Sequence, residues 1–205
     1  MFLKIDPSLT TTKDIHSLLL SAVGPRPIAL ASTIDKNGVR NISPFSFFNV
    51  FSSNPPIAIF SPARRVRNNT TKDTLENIKE INEVVINSVN FDIAEQMYVS
   101  SKDFPKNIDE FDESKLTPLK SIKVKPYRVS ESPVQIECKV NDIIELGKDG
   151  GAGNLIICEV VLIHINKNIL DEENKIDQEK IKLIGRLGGD WYSKGYDKAL
   201  FKLKK

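Results

Sequence analysis

Residues 27–46 read PIALASTIDKNGVRNISPFS, and this stretch sets the fold class. An apolar run, 27–34, meets Asp35-Lys36-Asn37-Gly38 and then a second β-type run, 39–46. Asn-Gly between two such runs signals a hairpin, because both residues tolerate the positive φ that a tight turn demands. Arg40 and Asn41 fall on the return strand and are expected to be exposed. Further along, residues 56–61 (PIAIFS) are apolar enough for a buried strand, and a polar loop, 62–71, follows. A short helix is predicted over 73–81: Asp73 and Glu76 fit a capping box, and Leu75, Ile78 and Ile81 share a stripe. Residues 83–89 (EVVINSV) return to strand. Asn90 or Asp92 then caps a second helix, with Ile93, Met97 and Tyr98 facing inward.

Two longer β runs, 132–146 and 154–165, are joined by the glycine-rich segment 147–153, which reads as a hairpin tip. Asn141-Asp142 is the candidate bulge in the first of them. One more helical turn is predicted to start at Asp177. Residues 100–120, polar and carrying Pro105 and Pro118, read as a long surface excursion. No repeat, low-complexity tract or linker divides the 205 residues, so 1–205 is read as one domain. Strands interrupted by short helices, without regular βαβ alternation, predict a mainly β (α+β) chain built around an antiparallel barrel.

Composition narrows the function. A formal net charge of +2 gives no reason to expect nucleic acid or an anionic membrane as partner. Pro7 interrupts the N-terminus before an apolar run develops, and no stretch is long enough to span a bilayer, so a cytoplasmic location is expected. Cys138 and Cys158 lie in apolar β runs and read as buried thiols; no metal site is expected. Gly147, Gly150, Gly151 and Gly153 precede a strand, whereas a dinucleotide-binding turn must open a helix. P-loop, HExxH and GxSxG patterns are absent, so hydrolase chemistry has no support. His16 is expected to be exposed, and His164, at the end of an apolar strand, to be a hydrogen-bonded structural residue.

Three clusters remain. Residues 41–51 interleave four Phe with Ser and Asn, which suits either a core strand or the flat wall and polar edge that a planar heteroaromatic ring needs. Arg64, Arg65 and Arg67, then Thr70, Thr71, Lys72 and Thr74, precede a helix start, where amides and cations favour a phosphate; a solvated basic loop is the alternative. Gly185-Arg186-Leu187-Gly188-Gly189-Asp190-Trp191-Tyr192 reads as a ligand-facing loop or as a tight turn before a packed Trp.

In that order, the pieces resemble the flavin reductase-like, FMN-binding split-barrel family, which includes flavoredoxins and the reductase components of two-component monooxygenases. The resemblance rests on residues 25–33 (PRPIALAST), 43–49 (SPFSFFN), 54–56 (NPP), 72–78 (KDTLENI), 85–87 (VIN), 132–134 (SPV), Glu137-Cys138 and 186–189 (RLGG). It implies a Greek-key split barrel and a homodimer with FMN near the subunit interface. Carried over by position, Phe45, Ser46, Phe47 and Asn49 line the flavin ring, and Ser61 sits near the ring or ribityl chain. Arg65 or Arg67, with Lys72, Thr74 and Asn77, hold the phosphate, and Arg186 and Gly188 approach the site. The implied activity is that of an NAD(P)H:flavin oxidoreductase serving a free flavin, a metal chelate or a partner oxygenase, with no catalytic side chain assigned. Many members carry a His in the loop before Asn154. Here that loop reads Gly151-Ala152-Gly153, which leaves open a flavoredoxin-like electron carrier without its own nicotinamide site.

Overall fold

The Asn37-Gly38 turn forms as expected. Gly38 takes a φ of +90°, and the Asp35 carboxylate accepts from the Asn37 and Val39 amides at 2.8 Å each. This turn joins β1 (Ala29–Ile34) to β2 (Arg40–Phe45) in an antiparallel pair. The computed structural model describes residues 1–203; Lys204 and Lys205, the end of the expected 1–205 domain, lie outside the described residues. The other strands are β3 (Phe48–Ser53), β4 (Pro56–Phe60), β5 (Glu83–Ser88), β6 (Pro118–Leu119), β7 (Arg128–Val129), β8 (Val134–Glu145), β9 (Asn154–Ile165), β10 (Ile184–Arg186) and β11 (Tyr192–Lys194). Helices are α1 (Thr12–Ala22), α2 (Asp73–Ile81), α3 (Ala94–Val99), α4 (Glu110–Ser114) and α5 (Gln178–Ile181).

Seven strands form one antiparallel sheet in the order β2-β1-β5-β8-β9-β4-β3. Its two edges, β2 and β3, are consecutive in the chain, with only Ser46 and Phe47 between them. In a flat sheet those edges would stand about 29 Å apart at ~4.8 Å per strand, whereas two linking residues reach only about 11 Å. The sheet therefore curls until its edges meet, which makes it a split barrel with a seam at Ser46-Phe47. β8 bulges at Val140/Asp142, as the sequence suggested, and again at Glu137/Cys138.

Alternation along β1 explains how both faces are covered. Ala29 and Ala31 point into the barrel with Phe45, Phe60, Ile86, Cys138, Ile156 and Cys158. Ile28 and Leu30 point outward under Val89, Ile93, Met97, Phe111 and Leu116. α2 closes the barrel mouth with Leu75 and Ile78, both fully buried, and each contributes about 1.5–3 kcal/mol by leaving water. Both cysteines are free and buried; burial pushes the Cys138 thiol up to about 12 and the Cys158 thiol well above its ordinary value. His164 is the structural residue expected of it, with Nε2 2.6 Å from the Glu137 carboxylate.

Several local expectations are corrected. β3 is not legible in the sequence, because no Gly or Pro marks the reversal at Ser46-Phe47 within the aromatic run 45–51. Asn41 is buried under α2, with its carboxamide against Thr33 and Thr74. Arg40, on the other face of the strand, is half-buried because α4 covers the outer face of β2: it pairs with Asp109 at 2.5 Å, and the Ile42 amide donates to Glu110 at 2.7 Å. Residues 100–120 are therefore not a plain surface excursion; Phe111 within them is fully buried. Lys72, not Asp73, is the α2 N-cap, and no side chain caps that helix start. Tyr98 and Trp191 face outward, 59% and 75% exposed, so the packed Trp after the second glycine turn is not seen.

Candidate functional site

The seam opens into a cleft of about 290 Å³. Phe45, the last residue of β2, sets one wall, braced by Phe60 at 5.4 Å between ring centroids. Phe47, just past the turn, is partly exposed and meets the His16 ring edge-on at 6.0 Å. Ser46 lies between them at the bottom of the turn. Ser61 follows β4; its amide donates to the Phe47 carbonyl at 2.8 Å, while its hydroxyl is buried with no partner. A Cβ on Gly153 would stand 2.6 Å from that hydroxyl, so only glycine lets the β8–β9 hairpin pass so close behind it.

α1 supplies the far wall through His16 and Leu20. The helix has no buried residue and no basic residue in its last turn. Arg26, buried, stands in for both: its guanidinium donates to the carbonyls of Leu20 (2.5 Å), Val23 and Leu187 (3.0 Å) and to Ser46 Oγ (3.3 Å). A cation at a helix C-terminus also meets the negative end of its dipole.

Lys72 closes one end of the cleft and lines an adjoining hollow with Arg65, Thr74, Asp103 and Glu110. This basic end already holds an internal anion. Asp103 contacts Arg67 at 2.5 Å, Arg65 at 3.3 Å and Lys72 at 3.4 Å. Burial pushes the Asp103 carboxyl up, but the three cations outweigh it and hold the group below its ordinary range. Glu110 behaves oppositely: burial raises it to about 7, against the lowering effect of the Ile42 amide. Thr74 is buried with its hydroxyl 3.0 Å from the Asn41 carboxamide, and Asn77 is buried and donates to Thr33 Oγ1 at 3.1 Å.

The structure thus brings Phe45, Ser46, Phe47, Ser61 and Lys72 onto one cleft, with Arg65 and Thr74 in the hollow that shares Lys72. It does not bring Asn49 there; that side chain is exposed on β3 and accepts from the Val50 amide at 2.8 Å. Arg67 stays in solvent beside Asp103. Asn77 stands behind the hollow, turned to β1. Gly188 packs on α1, where a Cβ would meet Ser21 Oγ at 2.2 Å. Arg186 lines a second hollow that shares Ser46 with the cleft. Sequence reasoning missed His16, Leu20, Ser101 and Asp103. The amphipathic pattern of 12–22 was the signal for the first two; nothing local marks the others. Among the described residues no group of three or more His, Cys, Asp or Glu is placed to hold a metal, and no helix is long and apolar enough to cross a membrane.

An antiparallel sheet closed at a seam, with aromatic walls and a cationic end in the opening, defines a split-barrel protein built around a ligand cleft. A model of the flavin reductase-like domain matches residues 22–182. The chain belongs to that flavin reductase-like family. It is similar to an uncharacterized protein of Aquifex aeolicus, 38% identical over 189 residues that cover 92% of this chain and 94% of that one. Among solved structures it is similar to nitrilotriacetate monooxygenase component B from Bacillus cereus, at 31% identity and a TM-score of 0.90, over 100% of this chain and 98% of that one. It is also similar to the Pseudomonas fluorescens 2-nitrobenzoate 2-nitroreductase, at 29% identity and a TM-score of 0.86, over 98% of this chain and 96% of that one.

Proposed function

We propose that the chain is an FMN-dependent oxidoreductase of the flavin reductase type, taking reducing equivalents from NAD(P)H and passing them to a separate acceptor. The observation that carries this reading is the shared cleft: Phe45 and Phe47 offer flat walls, and Lys72 a cation at the end, of a single opening. Membership of the flavin reductase-like family supports a flavin as the group held there. The residues present fit such a group, because the Ser61 hydroxyl is buried in the cleft without a partner and needs one. When bound, FMN supplies the hydride and electron chemistry. The chain's own task is to bind, orient and exclude water. In this reading Phe45 and Phe47 flank the ring, Ser46 and Ser61 offer hydroxyls to its polar atoms, and Arg65 and Lys72, beside the uncapped start of α2, hold the phosphate.

The same reading includes a homodimer. α1 buries none of its residues, although Leu18 and Leu19 are apolar, and Val50 and Phe51 lie more than half exposed on the β3 edge. A second copy over these residues would hide them from water.

FMN titration followed by flavin fluorescence tests the site. Lys72→Ala is expected to weaken FMN binding about tenfold or more, the loss of one charge-assisted contact, while the thermal midpoint barely moves. Equal FMN affinity in the two proteins refutes the phosphate seat. Anaerobic NADH or NADPH should bleach the bound flavin. The His-free loop at 151–153 favours one other reading, a flavoredoxin-like carrier, and flavin that stays yellow with both nucleotides would select it.

A further inference from the structure

Beside the cleft lies a second hollow of about 160 Å³, and Pro44, Ser46 and Ser101 line both. Its walls are aromatic and apolar: Tyr98, Tyr192, Met97 and Ile28. Its one charged lining group is Arg186. That guanidinium lies over the Tyr192 ring, 4.5 Å from the centroid, and among the described residues it makes no hydrogen bond or ion pair.

Arg186 is also held firmly. Its amide donates to the Arg26 carbonyl at 2.8 Å, its carbonyl accepts from the Arg26 amide at 2.9 Å, and it faces Tyr192 directly across the β10–β11 pair. Arg26, next to it, is committed to three carbonyls and Ser46. Burial first, and the Arg186 charge second, lower the Arg26 guanidinium from its ordinary value. Two neighbouring guanidiniums with no carboxylate between them leave uncompensated positive charge in a half-buried, low-dielectric place, which favours an external anion. The volume suits a single ring, since cavities of about 150 Å³ take a benzene-sized molecule.

We infer that this hollow is the acceptor subsite and that it takes a small aromatic carboxylate, with the ring between Tyr98 and Tyr192 and the carboxylate on Arg186. The inference rests on the neighbouring cleft being the flavin seat, because Ser46, common to both hollows, puts the ring next to whatever the cleft holds. Arg186 is thereby moved from the cofactor's contacts to the acceptor's. Stacked on Tyr192, its planar fork meets a carboxylate through two parallel N–H donors, which a lysine cannot reproduce.

Calorimetric titration of the full chain saturated with FMN tests this, with benzoate as probe, benzamide as its uncharged counterpart, and FMN affinity measured in parallel. Benzoate should bind, and benzamide about tenfold more weakly or worse. Arg186→Gln should weaken benzoate by a similar factor, and Arg186→Lys by less. FMN affinity should stay within about twofold of wild type in Arg186→Gln, since this residue lies outside the cleft. The inference is overturned if wild type binds FMN but not benzoate, or if Arg186→Gln binds benzoate as wild type does. It is equally overturned if that variant loses FMN in step with benzoate. ADP-ribose binding with the same Arg186 dependence, in place of benzoate, would make the residue a dinucleotide anchor and also overturn it. Should wild type take no FMN, the flavin reading fails by itself. The benzoate titration then runs on the flavin-free chain, where a lack of Arg186 dependence sinks the subsite.

Discussion

Replacing Arg26 with alanine should loosen α1 and open the cleft without unfolding the barrel. The helix has no buried side chain to hold it, so its attachment within one subunit rests heavily on the guanidinium that joins the Leu20, Val23 and Leu187 carbonyls to Ser46. A hydrogen bond from a charged donor is worth about 1.5–3 kcal/mol. The Leu20 and Val23 carbonyls sit at an exposed helix end and regain water when the donor goes, so about 1 kcal/mol per contact is the fairer figure, or about 3 kcal/mol for the three carbonyls. At 1.4 kcal/mol per decade, α1 should open roughly a hundredfold more often. Amide hydrogen exchange read by mass spectrometry measures this directly. Protection over Thr12–Ala22 should fall by about that factor, while the amides of the long β8–β9 pair keep theirs, and Arg26→Lys should recover part of the loss. FMN affinity should fall too, because His16 and Leu20 leave the cleft wall. Unchanged exchange over α1 in Arg26→Ala refutes the argument and assigns the helix to other contacts.

Glu137, fully buried, accepts from the Ile122 and Lys123 amides and pairs with His164, so Glu137→Ala should cost about 3–5 kcal/mol in urea unfolding; a cost below about 1 kcal/mol contradicts this. Burial pushes its carboxyl up, but those bonds outweigh it and hold the group below its ordinary value, so its stabilisation is present above about pH 4.5 and fades as pH falls through the lower folded value. Glu110 has the opposite sign: raised by burial from 4.5 to about 7, it should make the protein less stable as pH climbs between those values, and Glu110→Gln should flatten that slope in thermal melts. Asp103→Asn frees Arg65, Arg67 and Lys72 from their internal partner. FMN affinity should rise a few-fold with little change in thermal midpoint, as expected for a partly exposed ion-pair cluster; an unchanged affinity shows that Asp103 does not compete with the ligand. Neither cysteine should react with a thiol reagent in the native protein, and both should in denaturant, so native labelling would contradict their burial.

Much of the barrel was legible because its signals are local. Asn37-Gly38 fixes a hairpin by backbone preference, the β-type apolar runs of 132–146 and 154–165 fix two long strands, and Leu75 and Ile78 fix the buried stripe of a helix at 73–81. Family membership was legible for the same reason, since it rides on short motifs in order. What failed depends on neighbours distant in sequence. Arg40 and Asn41 look like solvent-facing strand residues until Asp109, 69 residues on, folds over the first and Thr74 of α2, 33 residues on, covers the second. Asn49 and Gly188 belong to motifs shared with the family, yet one sits on an open edge and the other against Ser21.

The sequence by itself determined the longer strands, the α2 helix, the Asn37-Gly38 and 147–153 hairpin turns, and that aromatic and cationic clusters exist, because periodicity and turn chemistry act over a few residues. Only the tertiary structure decided that these clusters share one opening. Closing a seven-stranded sheet on a two-residue link brings Phe47 and Lys72 to one cleft, and no short stretch of chain encodes that closure alone.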